Sequence, residues 1–160
     1  MPVICITKPS AAMGLFNLFK KRPPYDDPFF GALTHPFKKD TLFEGKKLFT
    51  PASIEVGLSI ISDPTGPTQS HYNFYTTIER EYATLVNKII PLIEDEFGNW
   101  QGDFKIGDFA QEFRLEHLVV PRQDVTPLKW DIAYTSIHDS NHWFITSFEG
   151  MTPMGILIDG

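Results

Sequence analysis

The chain has 160 residues, 42% of them hydrophobic, and a formal net charge of −6. That suits one domain with one core and excludes a wholly disordered chain. Its single cysteine, Cys5, excludes an internal disulfide and a cysteine-cluster zinc site, and fits a reducing cytoplasm.

No apolar run approaches the roughly 20 residues that a membrane-spanning helix needs. Residues 1–50 carry eight Lys/Arg against four Asp/Glu, whereas residues 51–160 carry six against sixteen. An acidic body argues against nucleic acid, which needs a phosphate-neutralising patch, and suits a basic protein partner.

Residues 1–24 read as a loosely ordered leader outside a domain at 25–160, with Met13 an alternative start. Within it, Leu15, Phe16, Leu18 and Phe19 beside Lys20, Lys21 and Arg22 give Leu15–Arg22 the makings of a short amphipathic turn for an anionic membrane surface. Pro23-Pro24 closes the leader. Strands are then expected around Pro28–Thr34, Thr41–Phe49 with a bulge at Gly45, and Ala52–Ile61. In the last of these Ala52, Ile54, Val56, Leu58 and Ile60 alternate with Ser53, Glu55, Gly57 and Ser59, so one face is buried and one is wet.

Ser70–Phe97 is the one long helical pattern. Tyr72, Tyr75, Ile78, Tyr82, Leu85, Val86, Ile89, Ile90, Ile93 and Phe97 recur at helical spacing. Thr76 and Glu79 fit a capping box, Pro91 predicts a kink, and Gly98 a stop. Trp100 is expected to pack under the following connection, and Asp108 to cap a short helix through Gln111.

Three more strands follow. Phe113–Val120 should place Phe113, Leu115, His117 and Val119 on one face. Leu128–Thr135 should turn Leu128, Trp130, Ile132 and Tyr134 inward. His142–Phe148 follows, and Met154–Ile158 is a last short element. The fold class is therefore α+β: an antiparallel sheet of about six strands with the long helix on one face, in the order β-β-β-α-β-β-β.

The chemistry is sparse. Phosphate-loop, dinucleotide, nucleophile-elbow and zinc-protease motifs are missing, so no catalytic residue and no cofactor is expected. His138, Asp139 and His142 form an H-D-x-x-H set able to ligate a metal, although a predicted turn need not bring the rings together. Glu112 and Glu116 share a face if the strand extends to both, and a working acid pair would need one carboxyl raised by burial. Tyr72, Tyr75 and Trp143 are the candidate interface aromatics, since amphipathic rings favour interfaces.

Phe30-Gly31-Ala32-Leu33, Phe43 with Gly45, Ile54-Glu55-Val56, Trp130 and the terminal Asp159-Gly160 form a spaced pattern over residues 27–160. It resembles small bacterial families of unknown function with an FGxL strand, a W-x-G strand, a long helix and a C-terminal strand set. Phe43 replaces the usual tryptophan. Several such families act as immunity proteins in polymorphic toxin systems. The resemblance implies a non-enzymatic protein-binding domain and carries over no catalytic residue. The alternative is a small metal-dependent hydrolase using His138 and His142.

Overall fold

The computed structural model describes residues 24–35 and 41–159. Residues 1–23 of the leader, with Cys5 and the segment Leu15–Arg22, lie outside the described residues. Strands β1 (Tyr25–Asp27) and β2 (Gly31–Leu33) form a two-stranded ribbon. Six further strands form one sheet in sequence order: β3 (Leu42–Phe49), β4 (Ile54–Ile61), β5 (Phe113–Val120), β6 (Lys129–Ser136), β7 (Trp143–Glu149) and β8 (Thr152–Asp159). Helix α1 (Gln69–Gln101) connects β4 to β5, and a one-turn helix α2 (Phe109–Glu112) precedes β5. The fold is α+β, and no helix among the described residues is long and apolar enough to cross a membrane.

The sheet departs from the expected antiparallel pattern at one place. Every neighbouring pair is antiparallel except β4 and β5, which run parallel. The reason is topological: α1 returns the chain to the end at which β4 began, as a parallel pair requires.

Helix α1 buries Phe74, Tyr75, Ile78, Leu85, Ile89, Ile93 and Phe97, the wide stripe that a helix lays against a sheet. It begins at Gln69, one residue before the expected Ser70 and about two turns before Thr76. Thr68 is the N-cap, and buried His71 closes the box. The His71 Nδ1 accepts the Thr68 N–H at 3.1 Å, and its Nε2 donates to the Ile61 carbonyl at 3.0 Å. Thr76 instead bonds back to the Tyr72 carbonyl, and Glu79 accepts the Thr50 N–H. The helix is continuous through Pro91 and Gly98, ending at Gly102 with φ +76°. Trp100 is exposed rather than tucked under the connection.

On the sheet's inner face Phe43, Phe49, Val56, Leu58, Ile60, Phe113, Leu115, Leu118, Val120, Trp130, Ile132, Tyr134, Phe144 and Phe148 are buried. Trp130 stacks on Phe148 at 4.3 Å, meets the edge of Phe74, and donates its indole N–H to the Gly150 carbonyl at 2.7 Å. The β1–β2 ribbon extends this layer. Asp27, buried, accepts the Phe29 and Phe30 N–H groups and the Tyr72 hydroxyl. Lys47 donates to the Phe29 carbonyl and lies 4.4 Å from that ring's centre. Gly45 makes no bulge, since β3 and β4 pair without interruption. A Cβ at Gly45 would lie 2.5 Å from Leu33 Cδ2, so the glycine is there to admit the ribbon.

Candidate functional site

The opposite face of the sheet is the feature that stands out. The register assigns its side chains. Gly57 faces His117, His117 faces Ala133, Ala133 faces Ile145, and Ile145 faces Leu157. Trp143, one step along β7 on the same side as Ile145, lies opposite Asp159. Among the described residues, α1, α2 and the ribbon all pack on the other side. Trp143 is 43% exposed and Leu157 58%, so Trp143, Ile145 and Leu157 form an apolar patch open to water.

Acids surround it. The face carries Glu44, Glu55, Glu116, Asp131, Glu149 and Asp159 against Lys46, Arg114 and Lys129, by register and alternation. Two of the cations have a carboxylate, Lys46–Glu55 at 3.7 Å and Arg114–Glu116 at 3.4 Å, and Lys129 stands opposite Glu149 in the register. The surplus negative charge therefore belongs to Glu44, Asp131 and Asp159.

His117 is a half-buried titratable group on this face. A bulge between Leu115 and His117 puts His117 and Val119 on the outer face and Leu118 and Val120 inside, which corrects the simple alternation expected of β5. The His117 ring lies over Gly57, where a Cβ would come within 2.6 Å of Nδ1. Its Nε2 is 2.9 Å from Ser59 Oγ. Burial pushes its pKa below the ordinary 6.5, against a smaller opposing pull from Glu44.

The other expected site residues are placed as follows. Trp143 is on the open face. Tyr75 is fully buried, its hydroxyl donating to the Leu48 carbonyl at 3.2 Å, so it is no surface residue. Tyr72 is half-buried and stacks on Phe29 at 4.8 Å. Burial, then its bond to Asp27, pushes its pKa up to about 12. Both tyrosines hold the ribbon down.

The histidine set divides. His138 Nε2 is 2.7 Å from Glu112 Oε2, while His142 Nδ1 is 2.8 Å from Asp139 Oδ2. The His142 contact, ahead of smaller causes, draws the Asp139 carboxyl below its ordinary range. Among the described residues no three His, Cys, Asp or Glu side chains come together as a metal-binding group. Glu112 and Glu116 are no pair either. Glu112 ends α2 and accepts the Gly107 and Asp108 N–H groups, whereas Glu116 accepts the Thr135 hydroxyl. Ile145 and Leu157 went unnoticed in the sequence. Carrying the alternation of Trp143 through both C-terminal strands is the signal that finds them.

Comparison of the chain with protein-family models, curated proteins and solved structures returns no match.

Proposed function

We propose that the chain is a non-catalytic binding domain whose open sheet face engages a basic protein partner, as an immunity-type protein would. One observation carries the reading: a sheet fully packed on one face presents Trp143, Ile145 and Leu157 on the other, within an excess of carboxylates. An aromatic anchor in an apolar centre, with charge at its rim, is the anatomy of a protein interface. The acidic rim speeds the approach of a cation-rich partner and makes it sensitive to salt. The resemblance to small bacterial immunity families points the same way.

The test is capture of partners from the host's lysate by the tagged protein, at low and moderate salt, with Asp131→Lys/Asp159→Lys and Trp143→Ala chains in parallel. The expected result is one stoichiometric protein, reduced by salt and lost from both altered chains. Retention indifferent to salt and to the charge reversals contradicts the electrostatic reading.

A further inference from the structure

β4 and β5 are hydrogen-bonded only between residues 57–60 and 117–120, although the strands begin at Ile54 and Phe113. Below that pairing no ladder pairs join the two strands. There, between α1, the Thr50–Ala52 turn and α2, lies a cavity of about 810 Å3. Its walls include Ile54, Val86, Ile90, Phe109, Phe113 and Leu115. Such a volume and lining fall in the range of small-molecule sites.

The polar groups around it are few and mostly committed. The Asp108 carboxylate accepts the Ala110 and Gln111 N–H groups at the start of α2, and Arg114 is held by Glu116. That leaves Asn87, exposed at the rim, and Tyr82, the half-buried hydroxyl on the lining. Behind it lies Tyr134, fully buried, its hydroxyl close enough to Tyr82 to affect the acidity of both rings. Tyr82 is the partner within its reach, although the two hydroxyls fall short of a fully formed hydrogen bond. Burial raises the pKa of both, so both hydroxyls keep their protons at neutral pH. With Tyr134 turned toward the Tyr82 oxygen, the Tyr82 hydroxyl is left as a donor for an occupant that supplies an acceptor.

We propose that this cavity binds a small, neutral, largely apolar molecule carrying one hydrogen-bond acceptor, such as a ketone, which accepts a hydrogen bond from the Tyr82 hydroxyl. The site lies on the helix side of the sheet and is independent of the open-face interaction. A charged ligand is disfavoured because the carboxylate and guanidinium at the cavity are already engaged.

The test uses the full chain and a neutral naphthyl ketone dye, 6-propionyl-2-(dimethylamino)naphthalene, whose emission moves to the blue on leaving water. Saturable one-to-one binding is expected. Val86→Trp fills the cavity, and Ala83→Trp, at an exposed helix position on the lining, blocks it with little risk to folding. Each should weaken binding about tenfold or more with the far-ultraviolet dichroism unchanged. Tyr82→Phe should weaken the ketone by roughly fivefold, one neutral hydrogen bond, and leave 2-(dimethylamino)naphthalene, which lacks the acceptor, unaffected. No saturable binding by the native chain, or binding undiminished by both tryptophans, overturns the site. Equal effects of Tyr82→Phe on the two dyes overturn the role of the tyrosine.

Discussion

The two faces of the six-stranded sheet are written by the same alternation and do opposite things. The inner face is apolar, rich in aromatic rings, and closed by α1. Trp130, Tyr134, Phe144 and Phe148 are at most 2% exposed. The outer face mixes ion pairs, short side chains and one apolar patch, and is left open. A sheet needs only one covered face for its core, so the second is free to carry recognition. The difference teaches where substitutions cost stability and where they cost only binding.

The largest effect belongs inside. Trp130→Ala removes a stack, an edge contact and the bond to Gly150. It should cost about 3–5 kcal/mol, measured by chemical denaturation. A loss under about 1 kcal/mol would break the comparison at its strong end. Asp27→Ala comes next. It strands two backbone N–H groups and the Tyr72 hydroxyl, and should cost about 1–3 kcal/mol. Because the damage is local, amide exchange should rise first in the β1–β2 ribbon.

A smaller, pH-dependent effect sharpens the outer face. His117 has a folded pKa below its ordinary 6.5 because its ring is partly buried. The unfolded chain therefore takes up a proton at higher pH than the folded one. The stability His117 contributes is present above pH 6.5 and is lost as the pH falls through the lower folded value. His117→Gln should lose less stability than the native chain between about pH 7.5 and about pH 5.5. Equal losses would show that other groups govern that window. Smallest of all, Trp143→Ala should shift stability by no more than about 0.5 kcal/mol, whatever it does to binding.

Much of this asymmetry was legible in the sequence. Strands β3 and β4, the α1 stripe and the inward set Leu128, Trp130, Ile132 and Tyr134 follow from period and alternation, which are local properties, whereas the single strand expected at Pro28–Thr34 is a turn and β2, with β1 unforeseen. What was not legible is non-local. The bulge after Leu115 has no glycine or turn residue to announce it, yet it reverses His117 and Val119. Gly45 looks like a bulge until Leu33 is seen above it. Tyr72 and Tyr75 read as interface aromatics because the ribbon that covers them lies some 45 residues away in sequence, reaching Tyr72 through Asp27. His138 and His142 read as one metal set because their true neighbours, Glu112 and Asp139, are assigned only by the packing of α2 and the turn. The cavity lies beside the unpaired start of β4 and β5, and no residue type marks where their pairing begins.

The most direct test of the central claim is the association of the captured partner with three chains: native, Trp143→Ala, and Asp131→Lys/Asp159→Lys, each first shown to be as stable as the native chain. The account predicts that Trp143→Ala raises the dissociation rate and that the charge reversal lowers the association rate and flattens its dependence on salt. Unchanged rates in both would contradict it and move recognition away from the open face.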